Sequence, residues 1–148
     1  MTITSDTRQT VIDNLDQTLF VEAGAGSGKT SCLVNRFVAL VESGIRADRI
    51  AAITYTTKAA DELVERIRTR LEERARAGSE LCRSSLAFLD GAAICTVHSF
   101  AQRILTEHPI EAGLPPSVTV TDEIGAKVTF ESRWEDYVDQ LLTDESME

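Results

Sequence analysis

Apolar runs long enough to cross a membrane are missing from this chain of 148 residues, since none approaches the ~20 residues that a bilayer span needs. The first ten residues, MTITSDTRQT, are polar and carry an acid, so they do not read as a secretory leader. The expected compartment is the cytoplasm, with no membrane partner. Cysteine is scarce and scattered. Cys32, Cys82 and Cys95 form no C-x-x-C pair, so neither a zinc site nor a redox motif is indicated, and all three read as buried or half-buried thiols. No Ser/His/Asp arrangement points to a hydrolase, and there are no internal repeats or low-complexity tracts.

Positive charge is short too. The chain holds 15 Lys+Arg against 24 Asp+Glu, a net of −9. Residues 1–110 are nearly balanced, with 13 basic and 14 acidic residues, whereas residues 111–148 hold 2 and 10. An acidic chain is a poor autonomous binder of nucleic acid, because such affinity rests largely on neutralising phosphates. Any DNA contact is expected to need help from elsewhere.

What is present is the make-up of an ordinary soluble globular protein, 43% apolar and 26% charged, at a length that fits one domain. A short helix is expected over residues 6–16, with Val11, Ile12 and Leu15 on one side. TLFVEA (18–23) reads as a buried strand. GKTSCLVNRFVALVE (28–42) reads as a helix with Leu33, Phe37, Leu40 and Val41 on its apolar face and Gly44 as its stop. RIAAITYT (49–56) is a second strand. A long helix follows from Thr57 to Ala77, with Ala60, Leu63, Val64, Ile67 and Leu71 as its stripe and the pairs Glu62/Arg66 and Glu72/Arg76 outside. Residues 79–89 read as another helix, AAICTV (92–97) as a third strand and HSFAQRILTEHP (98–109) as a short helix. EAGLPPSVTV (111–120) reads as a linker, and an acidic helix capped by Asp122 runs to Leu142. Alternating strands and helices point to an α/β fold with a mainly parallel sheet, whose chemistry sits at the carboxyl ends of the strands. All three expected strands end in polar motifs: AGAGSGKT, TYTTKAA and TVHSF.

The first motif has the chemistry of a phosphate cradle. Glycines let backbone N–H groups approach an anion, and the following helix offers its N-terminus. Lys29 is placed to reach the β- and γ-phosphates, and Thr30 to give its hydroxyl to Mg²⁺. The strict pattern GxxxxGK[ST] asks for glycine at position 23, where this chain has Ala23. A plain glycine turn would give no reason for Lys-Thr after the final glycine. The other two motifs carry no catalytic spacing. Tyr55 alone reads as a packing aromatic, and His98 alone as a helix-start or core histidine. Together the motifs offer hydroxyls, helix-start N–H groups and a ring, which can hold a phosphodiester backbone and stack on bases without reading sequence.

AGAGSGKT, TYTTKAADELVERI and TVHSF, in that order and spacing, resemble the N-terminal part of UvrD/Rep-type superfamily 1 DNA helicases. The long spacer before TVHSF and the run HPIEAGLPPSVTVTDE look closest to the RecB/AddA-like branch. The resemblance implies an incomplete P-loop NTPase (RecA-like) domain, a three-layer α/β/α arrangement with a mainly parallel sheet, over residues 1–110. It implies a linker and the start of an acidic helical subdomain over 111–148. The ligands it implies are ATP with Mg²⁺. Gln9 sits where the family reads the adenine edge, and Ala23, Gly24, Ala25, Gly26, Ser27, Gly28, Lys29 and Thr30 fall on its phosphate loop, whose usual form is AxxGxGKT. Lys29 and Thr30 would be the catalytic pair, with Thr30 on the metal. Thr54, Tyr55, Thr56 and Thr57 fall on one DNA-contacting element, and Thr96, His98 and Ser99 on another.

Three positions depart from the family's common form. Tyr55 stands for Phe, Thr57 for Asn, and Ser31 for an arginine near the adenine. The Asp-Glu pair with which the family hydrolyses ATP, in a DExxD-like motif, has no counterpart. Asp122-Glu123 lacks the further acid and reads as a helix start. The expectation is the ATP-binding, single-stranded-DNA-contacting portion of a DNA helicase for recombination or repair. Its partners would be single-stranded or duplex DNA, the remaining helicase domains and a nuclease subunit, and the chain by itself would not hydrolyse ATP. Two other classes stay open on the residues alone. One is a non-enzymatic module that kept the fold. The other is a small nucleotide kinase, which would need an arginine-rich lid, whereas the arginines of 66–76 alternate with acids as on a solvated face.

Overall fold

The strongest helical pattern in the sequence, residues 57–76, becomes the helix around which the first unit is built. The computed structural model describes residues 5–24, 26–115, 121 and 123–143. It divides into two units, Met1–Arg103 and Ile104–Glu148. In the first, helix α3 (Thr57–Arg76) buries Ala60, Leu63, Ile67, Leu71 and Ala75, a single stripe at helical spacing. Thr56 starts it, its hydroxyl accepting from the Ala59 N–H at 3.1 Å. Gly78, at φ +104°, ends it in a paired turn, with Gly78 N donating to Ala75 O and Ser79 N to Arg74 O. Ser79 then caps the next helix, α4 (Glu80–Leu86), which returns along α3 and buries Cys82. Burial pushes the Cys82 thiol up from its ordinary range, so it packs as a neutral hydrophobe. The expected pairs Glu72/Arg76 and Glu62/Arg66 are present at 3.0 and 4.0 Å, both exposed.

Helix α2 (Lys29–Glu42) packs on α3 through Val34, Phe37, Val38 and Val41. The face expected from the sequence shared Phe37 and Val41 but included Leu33, which is 40% exposed, and Leu40, which is half-buried. The stretch LVNRFVALV is apolar on more than one side, so periodicity alone leaves the rotation open. The facing helix decides it.

The sheet has two strands among the described residues, β1 (Ala51–Thr54) and β2 (Ala93–Thr96). They are parallel, with Ala52 opposite Ile94 and Thr54 opposite Thr96, and α3 and α4 form the crossover. A 3₁₀ turn leads into each strand, Ala47–Arg49 and Leu89–Gly91. The core joins both layers through Phe37, Val41, Ala52, Leu63, Ile67, Leu71, Cys82 and Leu89.

The expected first strand is not formed. Residues 18–23 are irregular, and Phe20 is 94% exposed. A strand is held by a neighbour's ladder, because its N–H and C=O groups need partners. Among the described residues no strand lies beside this segment. The chain just before it is held to α2 by Arg36, whose guanidinium donates to the carbonyls of Val11, in α1 (Ser5–Asp13), and of Asn14, Leu15 and Gln17. Those bonds take up carbonyls at the end of α1, which stops at Asp13 rather than at residue 16.

The second unit begins within α5 (Val97–Glu107) and holds α6 (Glu123–Thr143). After α5, Leu114 N donates to Pro109 O at 2.8 Å and closes a turn. On α6, Phe130, Trp134 and Tyr137 form a run of adjacent rings. Asp122, expected as its cap, lies outside the described residues, as do residues 116–120 of the expected linker.

Candidate functional site

Glycine placement shapes the loop that leads into α2. Gly26 has φ +73° and Gly28 φ +85°, left-handed backbone that a side chain disfavours. Gly28 is the N-cap of α2, which therefore starts with no side-chain cap and no acid in its first turn. Helices α3 and α4 are both capped by hydroxyls. The first N–H groups of α2 lack a side-chain cap, the arrangement that suits an anion. The Ser27 hydroxyl donates to Gly24 O at 2.8 Å and closes the loop. Lys29 Nζ folds back onto the carbonyls of Ala23 at 2.6 Å and Gly24 at 2.7 Å, which keeps its ammonium at the loop. Thr30 is exposed on the first turn of the helix. Ala25 lies outside the described residues. Gln9 stands on α1 with its amide donating to Asp13 Oδ1 at 2.8 Å, within its own helix.

A cavity of about 250 Å³ opens over this loop, lined by Gly26 to Ser31 and by Arg66 of α3. A second cavity of about 320 Å³, between α2 and α3, shares Ser31 and Arg66 and continues to Asn35, Thr69 and Arg70. A third, of about 390 Å³, lies on the other side of α2, where Leu33 meets Val11, Leu19 and Val21.

The parallel pairing of β1 and β2 brings the other two motifs together, since Thr54 and Thr96 are register partners at the carboxyl ends of their strands. Tyr55 follows at 92% exposure, and Thr57 and His98 are also exposed. Two of the hydroxyls carry local structure. Thr56 caps α3, and Thr96 Oγ1 accepts from the Ser99 N–H at 3.2 Å and lies 3.0 Å from the Ser99 hydroxyl at the start of α5.

The sequence model of the UvrD/REP helicase N-terminal domain matches residues 4–147. The chain belongs to this family. Among its relatives are proteins named as subunits of an ATP-dependent helicase/nuclease. The one from Heliobacterium modesticaldum is 38% identical over 107 residues, which are 71% of this chain and 8% of that protein. Those from Lactobacillus acidophilus and Limosilactobacillus fermentum are 33% and 30% identical over 94% and 93% of this chain, and 12% and 11% of theirs. The chain thus spans about a tenth of the length of these relatives.

In this member of the UvrD/REP family, two arginines stand at the loop that sequence patterns do not reveal. Arg66 reads as part of an outer face because it pairs with Glu62 at helical spacing, yet the packing of α3 on α2 also brings it to the loop. Arg8 precedes Gln9 on α1, and its Nη2 donates to Ser27 O at 2.8 Å. No spacing rule ties residue 8 to residue 27, so only the fold could reveal that contact.

Proposed function

We propose that this chain is the N-terminal ATP-binding and single-stranded-DNA-contacting part of an ATP-dependent DNA helicase that acts in recombination or repair. The observation that carries the reading is the start of α2. A helix with no side-chain cap opens behind two left-handed glycines, with Lys29 held at its mouth. A triphosphate supplies the missing acceptor. Displaced from the carbonyls of Ala23 and Gly24, Lys29 would neutralise charge on the terminal phosphates. Arg66 of α3 adds a second cation to the lining of the loop cavity. Gln9 would read the adenine after exchanging its bond to Asp13.

Thr30 suits Mg²⁺ as a single hydroxyl ligand. This ion keeps most of its waters and takes phosphate oxygens, so it does not need a protein cage. When bound, it would neutralise phosphate charge. None of the residues lining the loop cavity is a carboxylate that could activate water. The chain by itself therefore binds ATP and does not hydrolyse it.

Thr54, Tyr55, Thr56 and Thr57, with Thr96, His98 and Ser99, form the DNA contact. Tyr55 is the stacking ring, and the two capped helix starts offer N–H groups to phosphates. Residues 1–110 form part of a RecA-like three-layer domain, and residues 111–148 a linker and the start of a helical subdomain. The irregular segment 18–23 becomes a strand when further strands of the whole protein lie beside it. Partners in that protein are DNA, the remaining motor domains and a nuclease subunit, in line with the names of the relatives. The cytoplasm is the compartment proposed, and among the described residues no helix is long and apolar enough to cross a membrane.

Binding of a fluorescent ATP analogue, with and without Mg²⁺, tests the reading. The unaltered chain should bind, and Lys29→Ala should weaken binding by tenfold or more, on the order of 1.4 kcal/mol. Equal binding by both proteins would sink the assignment.

A further inference from the structure

We propose that Arg8 is a positioning residue for the phosphate loop, acting through the Ser27–Gly28 peptide; the inference rests on the nucleotide-binding reading of that loop. Helix α1 is fixed against α2 at its far end by the contact of Arg36 with the Val11 carbonyl, by its contacts with the carbonyls of Asn14, Leu15 and Gln17 just beyond the helix, and by the buried side chain of Val11. Arg8 lies three residues before Val11, one helical turn away on the same side of α1. From there its Nη2 donates to Ser27 O at 2.8 Å. A trans peptide points its C=O and N–H in opposite directions. Holding the Ser27 carbonyl towards Arg8 therefore turns the Gly28 N–H away from that arginine.

The guanidinium packs beside Gly28. A Cβ built there would lie 3.5 Å from Arg8 Nη2, an ordinary van der Waals contact, so the two stand next to each other without the glycine being needed for space. Two contacts then set the orientation of the loop. The Ser27 hydroxyl reaches in to Gly24 O, and Arg8 holds the Ser27 carbonyl from outside. Lys29 moves when phosphate arrives, because the carbonyls it holds are the loop's own. Arg8 has no such need to move. It also fixes the register of α1, and with it the position of the neighbouring Gln9. One arginine thus links the phosphate end of the site to the element that carries the adenine-reading candidate.

The test compares the full 148-residue chain with Arg8→Ala and Arg8→Lys. Amide hydrogen exchange is followed in the absence of nucleotide, and MgATP and MgADP binding are measured separately. In Arg8→Ala, exchange should rise about tenfold over residues 24–30 and stay unchanged in α3. Both nucleotides should bind about tenfold more weakly, the loss of one charge-assisted hydrogen bond. Arg8→Lys keeps a donor of similar reach and should restore most of both effects. Unchanged exchange in the loop would overturn the proposal. So would a rise spread equally through α3, which would make Arg8 a support of the whole fold. A loss confined to MgATP, with MgADP unaffected, would also overturn it, because that marks direct contact with the terminal phosphate. If the unaltered chain fails to bind either nucleotide while Arg8→Ala still loosens the loop, the nucleotide reading falls and the clasp stands.

Discussion

Two glycines of the loop look alike in sequence and differ in what the backbone asks of them. Gly28 sits at φ +85° with Arg8 beside it, whereas Gly24 has no positive φ and nothing within 4 Å of a built Cβ. Gly28→Ala should therefore cost about 1–2 kcal/mol of stability through left-handed strain alone. Gly24→Ala should stay within about 0.5 kcal/mol, the usual range for an unremarkable surface change. Paired thermal melts of the two variants, together with nucleotide titrations, check both statements. A destabilised Gly24→Ala beside an unaffected Gly28→Ala would contradict the assignment of backbone roles.

At the scale of elements, α3 is both scaffold and wall of the site. Its buried stripe anchors the core, its N-terminus follows Tyr55, and Arg66, within its first three turns, reaches the glycine loop before α2. Loss of its cap in Thr56→Ala should destabilise the chain by about 1 kcal/mol. Truncation of its fully buried Leu71 should cost about 2–5 kcal/mol, a large share of a typical domain's stability. Denaturant unfolding would rank the two. A cap effect larger than the Leu71→Ala effect would mean that Thr56 supports more than the helix start. The hydroxyls of Thr56 and Thr96 are both engaged at helix starts.

At the scale of the whole molecule, the proposed nucleotide binding is expected without hydrolysis. Among the described residues, those lining the loop cavity are two cations, Lys29 and Arg66, three hydroxyls, of Ser27, Thr30 and Ser31, and two glycines, with no carboxylate. The purified chain should show no ATP turnover above background, with or without single-stranded DNA. DNA-stimulated phosphate release that disappears in Lys29→Ala would overturn that expectation. The net charge of −9 makes the same separation for DNA. Any affinity of the isolated chain should be weak and should fall steeply with salt.

Much of this protein was legible in its sequence because the signals are local. The glycine-rich turn before α2 and the single apolar stripe of α3 each depend on residues within a few positions of one another. The three motifs are short strings of the same kind, and the family match agrees with the resemblance they carry. Tertiary structure alone decided the rest. The rotation of α2, which buries Val34 and exposes Leu33, was set by the helix facing it. The segment 18–23 has strand-like residues but stays irregular, because a strand exists only beside another. Arg66 and Arg8 came to the loop across 38 and 19 residues of chain, counted from Gly28 and Ser27. Local propensity fixes which turns and helices form. Only packing brings distant side chains to one site, since the energy that holds them there belongs to contacts between elements rather than within them.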